Sequence, residues 1–101
     1  MNSEAIPRLQ RWYLAQCNGE WEHNRGVSIT TLDNPGWSID INLSGTDLES
    51  KVFETVERLE HQDEWIVCQR TPTQFQGRGG PLMLDRIIAI FLEWADESSG
   101  P

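Results

Sequence analysis

Apolar residues recur with helical spacing near the N-terminus of the chain. In residues 7–18 the spacing i, i+3, i+4, i+7, i+8 is filled by Leu9, Trp12, Tyr13, Gln16 and Cys17. This spacing places the apolar members on one stripe of a helix. Pro7 suits the first turn, and Asn18-Gly19 can supply the left-handed residue that ends the helix. The pattern therefore predicts a short amphipathic helix.

A second and wider apolar stripe lies near the C-terminus and predicts a helix over Leu82–Glu97. Its members are Leu84, Ile87, Ile88, Phe91, Trp94 and Ala95, and Ile90 and Leu92 broaden it. A stripe of this width is typical of a helix that lies across a sheet face. We expect the preceding Gly77–Pro81 segment to form a loop and the polar tail from Asp96 to Pro101 to fray.

Between the helices the pattern changes to period two, which predicts a β-hairpin. The apolar positions of the first strand include Val27 and Ile29, and those of the second are Trp37, Ile39, Ile41 and Leu43. The intervening Asn34-Pro35-Gly36-Trp37 fits a type II turn. In that turn proline fixes φ at the second position and Gly36 takes a positive φ at the third.

Residues 46–60 fit two structures. Thr46 and Glu49 form a capping-box pattern, and a helical face would carry Leu48, Val52, Val56 and Leu59, so periodicity alone favours a helix. The apolar run that follows, Trp65–Cys68, has the composition of a strand under either interpretation.

Length and charge limit the classes of function. A chain of 101 residues is expected to form one domain, 1–101. Sixteen acidic against eight basic residues give a net charge of −8, which repels nucleic acid and anionic lipid and favours a basic partner. The sequence has no apolar run of membrane-spanning length and no signal-peptide pattern at its start. We therefore expect a cytoplasmic protein that binds neither nucleic acid nor membrane.

The residue types that carry catalysis or hold metals are sparse. Only two cysteines, Cys17 and Cys68, and two histidines are present, whereas a structural zinc site needs four such ligands at close spacing. We interpret both cysteines as small buried thiols. The glycines before the C-terminal helix could form an anion-binding nest, but tight turning of the main chain explains them better. No enzyme activity, metal or cofactor is expected.

Acidic residues crowd the middle third of the chain, at Asp47, Glu49, Glu54, Glu57, Glu60, Asp63 and Glu64. Such a cluster is usually a solvated face. It could also mimic the phosphate backbone that a nuclease holds, because complementary charge raises association rates and sets specificity.

Five separated blocks of this sequence resemble the immunity protein 53 family of bacterial polymorphic-toxin systems. The blocks are Leu9-Gln10-Arg11-Trp12-Tyr13, Cys17-Asn18-Gly19-Glu20-Trp21-Glu22-His23, Leu32-Asp33-Asn34-Pro35-Gly36-Trp37, Trp65-Ile66, and Phe75 with Gly77, Gly79, Gly80 and Pro81. The resemblance implies a non-catalytic protein that binds a cognate toxin domain and blocks it. Because the protein is acidic, we expect a basic nuclease toxin. The oligomeric state is left open, with a monomer favoured.

The resemblance also decides the ambiguous segment in favour of strands. Relatives carry β-rich sequence there, so we expect a strand over Val52–Leu59, a turn over Glu60–Asp63 and a returning strand over Glu64–Thr71. The resulting fold class is α+β. An antiparallel sheet of about four strands should carry the N-terminal and C-terminal helices packed on it.

Two acidic segments are the candidate partner-binding residues. Glu20, Trp21 and Glu22 come first, because an aromatic anchor surrounded by charges is typical of a binding hot spot; the alternative is that Trp21 closes the core. The second set is Glu57, Glu60, Asp63 and Glu64. Two other classes of protein remain open. A carbohydrate- or small-molecule-binding module would use exposed Trp12, Trp21 or Trp37, and a small enzyme would need a low-pKa cysteine.

Overall fold

The computed structural model describes residues 4–24, 26–59 and 63–97. The elements in chain order are α1 (Ala5–Gln16), β1 (Val27–Leu32), β2 (Gly36–Asn42), β3 (Val56–Leu59), β4 (Trp65–Arg70), β5 (Gln74–Gly79) and α2 (Leu84–Glu97), with one 3-10 turn at Trp21–His23. The predicted α+β class is confirmed. The sheet has five strands rather than about four, because the glycine-rich segment that we expected to be a loop forms the second half of β5.

All neighbouring strands are antiparallel, in the order β1-β2-β5-β4-β3. Both helices contact each other, and α2 contacts β5 and β2. Ile39 and Ile41 of β2 are fully buried in the core that the helices close. Because side chains alternate along a strand, this alternation divides the sheet into a helix-covered face and an opposite face.

The helix-covered face holds the core, and α2 contributes most to it. Ile87, Ile88 and Phe91 are fully buried, as the predicted stripe requires. The ring of Phe91 packs edge-to-face on Trp12, and Phe75 of β5 lies 5.1 Å from Phe91 between ring centroids. This aromatic cluster joins the two helices to the middle of the sheet.

The glycines of β5 allow α2 to lie close to the sheet. A Cβ atom built on Gly77 would lie 2.9 Å from Ile39 Cγ2 and closer still to Ile87 Cγ2, and one on Gly79 would lie 2.8 Å from Ile87 Cδ1. Glycine therefore occurs here because of a helix above the strand, not because the chain turns. The predicted loop was wrong over Gly77–Gly79 for this reason, whereas Gly80 and Pro81 do lie in the connection between β5 and α2.

The hairpin between β1 and β2 forms in the expected region, but its turn was predicted wrongly. The chain reverses through Asp33, Asn34 and Pro35, with a cis peptide bond before Pro35. Gly36 has no positive φ and pairs with Leu32 as the first residue of β2. Its lack of a side chain is required elsewhere, because a Cβ atom there would overlap the carbonyl oxygen of Gly79.

The ambiguous segment follows the strand interpretation. Val56–Leu59 is a strand that pairs with β4, although it is shorter than the predicted Val52–Leu59. Residues 46–50 form successive turns rather than a helix. Arg70, at the end of β4, donates hydrogen bonds to the carbonyl oxygens of Leu48, Glu49 and Lys51. These bonds fasten the segment before β3 to the sheet, and the predicted turn at Glu60–Asp63 lies partly outside the described residues.

The N-terminal helix spans Ala5–Gln16 rather than 7–18. Ala5 and Leu9 are its buried residues, and Trp12 packs against the core. Cys17 already has extended dihedral angles, so the positive φ of Gly19, +92°, belongs to the turn after the helix. In the described ranges no helix is long and apolar enough to span a membrane.

Candidate functional site

The sheet face opposite the helices is not covered by another layer in the described residues. We call it the open sheet face. Strand registers place on it side chains from every strand: Ser28, Thr30, Leu32, Ser38, Asp40, Asn42, Gln74, Gln76, Arg78, Trp65, Val67, Gln69, Glu57 and Leu59.

The centre of the open sheet face is polar and fixed by side-chain contacts. Arg78 Nη1 lies 3.0 Å from Asp40 Oδ1, and each side chain is about one third exposed. Gln76 donates to Gln74 Oε1 at 3.2 Å. An ion pair of this exposure stabilises the fold only slightly, but these groups give the face a fixed pattern of donors and acceptors.

The β3–β4 side of this face is apolar, and we call Leu59, Trp65 and Val67 the Trp65 patch. Leu59 and Trp65 are register partners, and Leu59 is 66% exposed. Trp65 and Val67 are half-buried and lie outside the core cluster. They alternate with the buried Ile66 and Cys68, which point to the helices. A large half-exposed aromatic ring beside aliphatic side chains is the usual centre of a protein-binding hot spot.

Three of the tryptophans use their indole N–H groups within the fold. Those of Trp21, Trp37 and Trp94 donate to the main-chain carbonyl oxygens of Asn42, Pro81 and Val52, respectively. Trp12 packs edge-to-face on Trp21 and Phe91. Among the described residues neither Trp12 nor Trp65 makes an indole hydrogen bond, and of these two only Trp65 lies on the open sheet face.

Exposed acids of the second candidate set border the Trp65 patch. Glu57 pairs with Val67 in the register, and Asp63 lies two residues before Trp65. Gly80 supports this segment: its N–H donates to the Trp65 carbonyl oxygen at 3.0 Å, and a Cβ atom on Gly80 would overlap the main chain of Asp63. Glu64 is also exposed, but it lines the groove between β3 and α2 on the helix side, with Ile66 and Arg86. Glu60, the fourth member of the set, lies outside the described residues.

The first candidate set divides into a core residue, a structural residue and an exposed residue. Trp21 is only 4% exposed, which agrees with the alternative that this side chain closes the core. The Glu22 carboxylate accepts the main-chain N–H groups of Asn18 and Gly19 at 2.9 and 2.8 Å. Hydrogen bonds from its own N–H and from Asn18 lower the pKa of Glu22. Of the three, only Glu20 has an exposed side chain with no such hydrogen bond among the described residues.

The tryptophans named for a carbohydrate platform do not form one. Trp21 is buried, Trp12 is half-buried on α1, and Trp37 is half-buried on the helix side of the sheet. Sequence reasoning missed Trp65 as a surface residue. The signal was present in the alternation of Trp65 and Val67 with Ile66 and Cys68, because one of the two sets must point away from the core.

Reactive groups are not gathered anywhere in the described ranges. Both cysteines are free: Cys17 is half-buried and Cys68 is fully buried. Burial raises the pKa of the Cys68 thiol to about 12, so it stays protonated and is a poor nucleophile at neutral pH. No group of three or more His, Cys, Asp or Glu side chains suited to a metal ion occurs in the described residues.

The model of the family described as immunity protein 53 matches residues 6–96 of the chain. No curated protein and no solved structure matches the chain significantly.

Proposed function

Because this chain belongs to the immunity protein 53 family, we propose that it neutralises a cognate toxin domain by covering that domain with its open sheet face. Membership of the family points to an inhibitor that carries out no reaction of its own. The observation that carries the choice of surface is the Trp65 patch with its border of acids.

The Trp65 patch has the composition of a binding centre. Binding energy concentrates in a few buried aromatic anchors surrounded by side chains that exclude water. Trp65 offers a large apolar area and an available N–H donor, and Leu59 and Val67 extend that area. Burying such a patch in an interface of about 1,600 Å² in total is sufficient for a specific, stable complex.

The acids around the patch favour a partner with a positively charged surface. Glu57 and Asp63 are exposed beside the patch, and the whole chain carries a charge of −8. A basic toxin surface would be drawn to this side of the sheet, because charge complementarity speeds encounter and orients it. A nuclease has such a surface, since it must hold phosphates. We therefore propose that the partner is a basic nuclease domain.

Co-expression with the toxin domain tests the proposal. The toxin to use would be the C-terminal domain of a large secreted protein, if the gene just upstream of this chain's gene encodes one. We expect Trp65→Ala to lose protection of growing cells. The matched control is Leu14→Ala, because Leu14 is 71% exposed on α1, far from the open sheet face. Full protection by Trp65→Ala at low expression would contradict the choice of surface.

A pair of charge-reversal variants separates the effect of the acids beside the patch from the effect of net charge. Glu57→Lys with Asp63→Lys changes the proposed border, and Asp33→Lys with Asp47→Lys changes the net charge equally at other exposed sites. We expect the first variant to slow association with the toxin about tenfold or more, with the difference shrinking at high salt. Equal slowing by both variants would show that only net charge matters. Loss of protection by Glu20→Lys alone would move the interface to the loop after α1.

A further inference from the structure

The two edge strands of the sheet are protected to different degrees. The short β3 carries Glu57 and Arg58, and such charges discourage pairing with another strand. At the other edge, β1 has six residues, Val-Ser-Ile-Thr-Thr-Leu, with no charge and no proline. Four of its six residues are exposed, and Ile29 is 38% exposed. A long uncharged edge of β-branched residues is a template for a further strand.

One hydrogen bond of the β1–β2 ladder shows which main-chain groups of β1 point toward the open edge. Asn42 N–H donates to the Gly26 carbonyl oxygen at 2.8 Å, and the register makes these two residues direct partners at the start of the β1–β2 ladder. In antiparallel pairs, hydrogen-bonded and non-hydrogen-bonded positions alternate. The N–H and C=O groups of Val27, Ile29 and Thr31 therefore point away from β2, toward the open edge.

We propose that β1 pairs antiparallel with β1 of a second copy of this chain, about a two-fold axis at Ile29. In this register Ile29 faces Ile29 of the second copy, and Val27 faces Thr31. This is the register that uses all three outward-pointing residues of both copies, and it forms six main-chain hydrogen bonds. The result is a continuous ten-stranded sheet. The inference does not depend on the proposed function.

The side chains in this register match each other. Ile29 meets its symmetry mate on the helix side of the sheet, so the exposed apolar area of both is covered. On the open sheet face Ser28 faces Thr30, and such hydroxyl pairs stabilise neighbouring strands. No like charges meet within the paired strands, although each copy carries −8. A single pair of edge strands is a small interface, so the dimer should dissociate on dilution.

The dimer leaves the proposed toxin-binding surface free. β1 and β3 are the opposite edges of the sheet, so the Trp65 patch lies three strands away from the pairing edge. Each copy could then hold one toxin domain. A dimer would differ from the monomer that sequence analysis favoured.

Sedimentation velocity over a range of concentrations tests the self-association. We expect the sedimentation coefficient of the parent to rise from the monomer toward the dimer value as concentration increases. Ile29→Lys should stay monomeric at every concentration, because two like charges would meet at the axis. Leu59→Lys, a matched change on the other edge strand, should associate as the parent does. A parent that stays monomeric, or a Leu59→Lys variant that loses association, would overturn the proposal.

Cysteine cross-linking tests the register itself, in a Cys17→Ser background. Hydrogen-bonded antiparallel partners have Cα atoms about 5.5 Å apart, within the range that a disulfide spans. Ile29→Cys should therefore form a disulfide-linked dimer under mild oxidation. Thr31→Cys lies on the same edge, but its symmetry mate would be about 14 Å away, so it should stay unlinked. Cross-linking of both variants, or of neither, would refute this register.

Discussion

A methyl group added at Gly77 would measure how tightly α2 is pressed on the sheet. A Cβ atom there would lie 2.9 Å from Ile39 Cγ2 and still nearer to Ile87 Cγ2, and both isoleucines are fully buried. Carbon atoms in contact prefer about 3.5–4.0 Å, so the helix must move outward by about 1 Å or a side chain must leave its rotamer. We expect Gly77→Ala to lower the free energy of unfolding by about 1–3 kcal/mol.

A double-mutant cycle in urea, followed by circular dichroism, tests the cause of this loss. Ile87→Ala removes the nearer obstacle and should cost about 2–5 kcal/mol alone. Combined with Gly77→Ala it should cost less than the sum of the two. Gly36→Ala is the control, because its methyl group would meet the Gly79 carbonyl oxygen instead and Ile87→Ala should not relieve it. Parent-like stability of Gly77→Ala, or strict additivity in the cycle, would refute the packing argument.

Three further outcomes follow from the core and its thiols. Phe91→Ala should lower the free energy of unfolding by about 3–5 kcal/mol in the same assay, and an unchanged denaturant midpoint would contradict the place of α2 in the core. Gly36→Val should impair folding because its side chain would overlap the Gly79 carbonyl oxygen, so a parent-like melt would contradict that contact. In native thiol titration Cys17 should react, and Cys68 only after unfolding. Because burial raises the pKa of Cys68 to about 12, its contribution to stability is complete below the unfolded thiol's pKa. It should fall as pH rises from about 9 toward 12, and a Cys68→Ala variant should lack this slope.

Local sequence patterns identified the elements whose apolar residues recur with the period of a helix or a strand. The stripe over Leu84–Ala95 reflects a helix with one buried face, and the alternation from Trp37 to Ile41 reflects a strand with one buried face. Both signals lie within a single segment of chain, so they can be read without the rest of the fold. The strand at Val56–Leu59 is different, because its own periodicity favoured a helix and only the family resemblance indicated a strand.

The glycines were misread because their cause lies far away in sequence. Gly77 and Gly79 are in a strand because Ile87 lies over them, and Gly36 is required by the carbonyl group of Gly79. A rule based on neighbouring residues assigns glycine to turns. Such a rule cannot detect a helix, distant in sequence, that packs on the strand. The error removed β5 from the prediction and so reduced the sheet from five strands to about four.

The candidate site was predicted in part. The acids Glu57, Asp63 and Glu64 are exposed, but the tryptophan on the open sheet face is Trp65, whereas Trp21 is buried. Acidic residues precede both tryptophans, so this feature does not separate them, and the alternation around Trp65 was the only local signal. The burial of Trp21 depends on α1 and on Asn42, which accepts its indole hydrogen bond, and such contacts are visible only in the folded chain.

The most direct test of the account is the dissociation constant of the toxin complex for the Trp65→Ala variant, measured by titration calorimetry with the purified toxin domain. Hot-spot anchors contribute about 2 kcal/mol or more, so we expect affinity to fall about thirtyfold or more. The thermal melt should change little, since Trp65 lies outside the core cluster. A dissociation constant equal to that of the parent, with Leu14→Ala also unchanged, would contradict binding through the open sheet face.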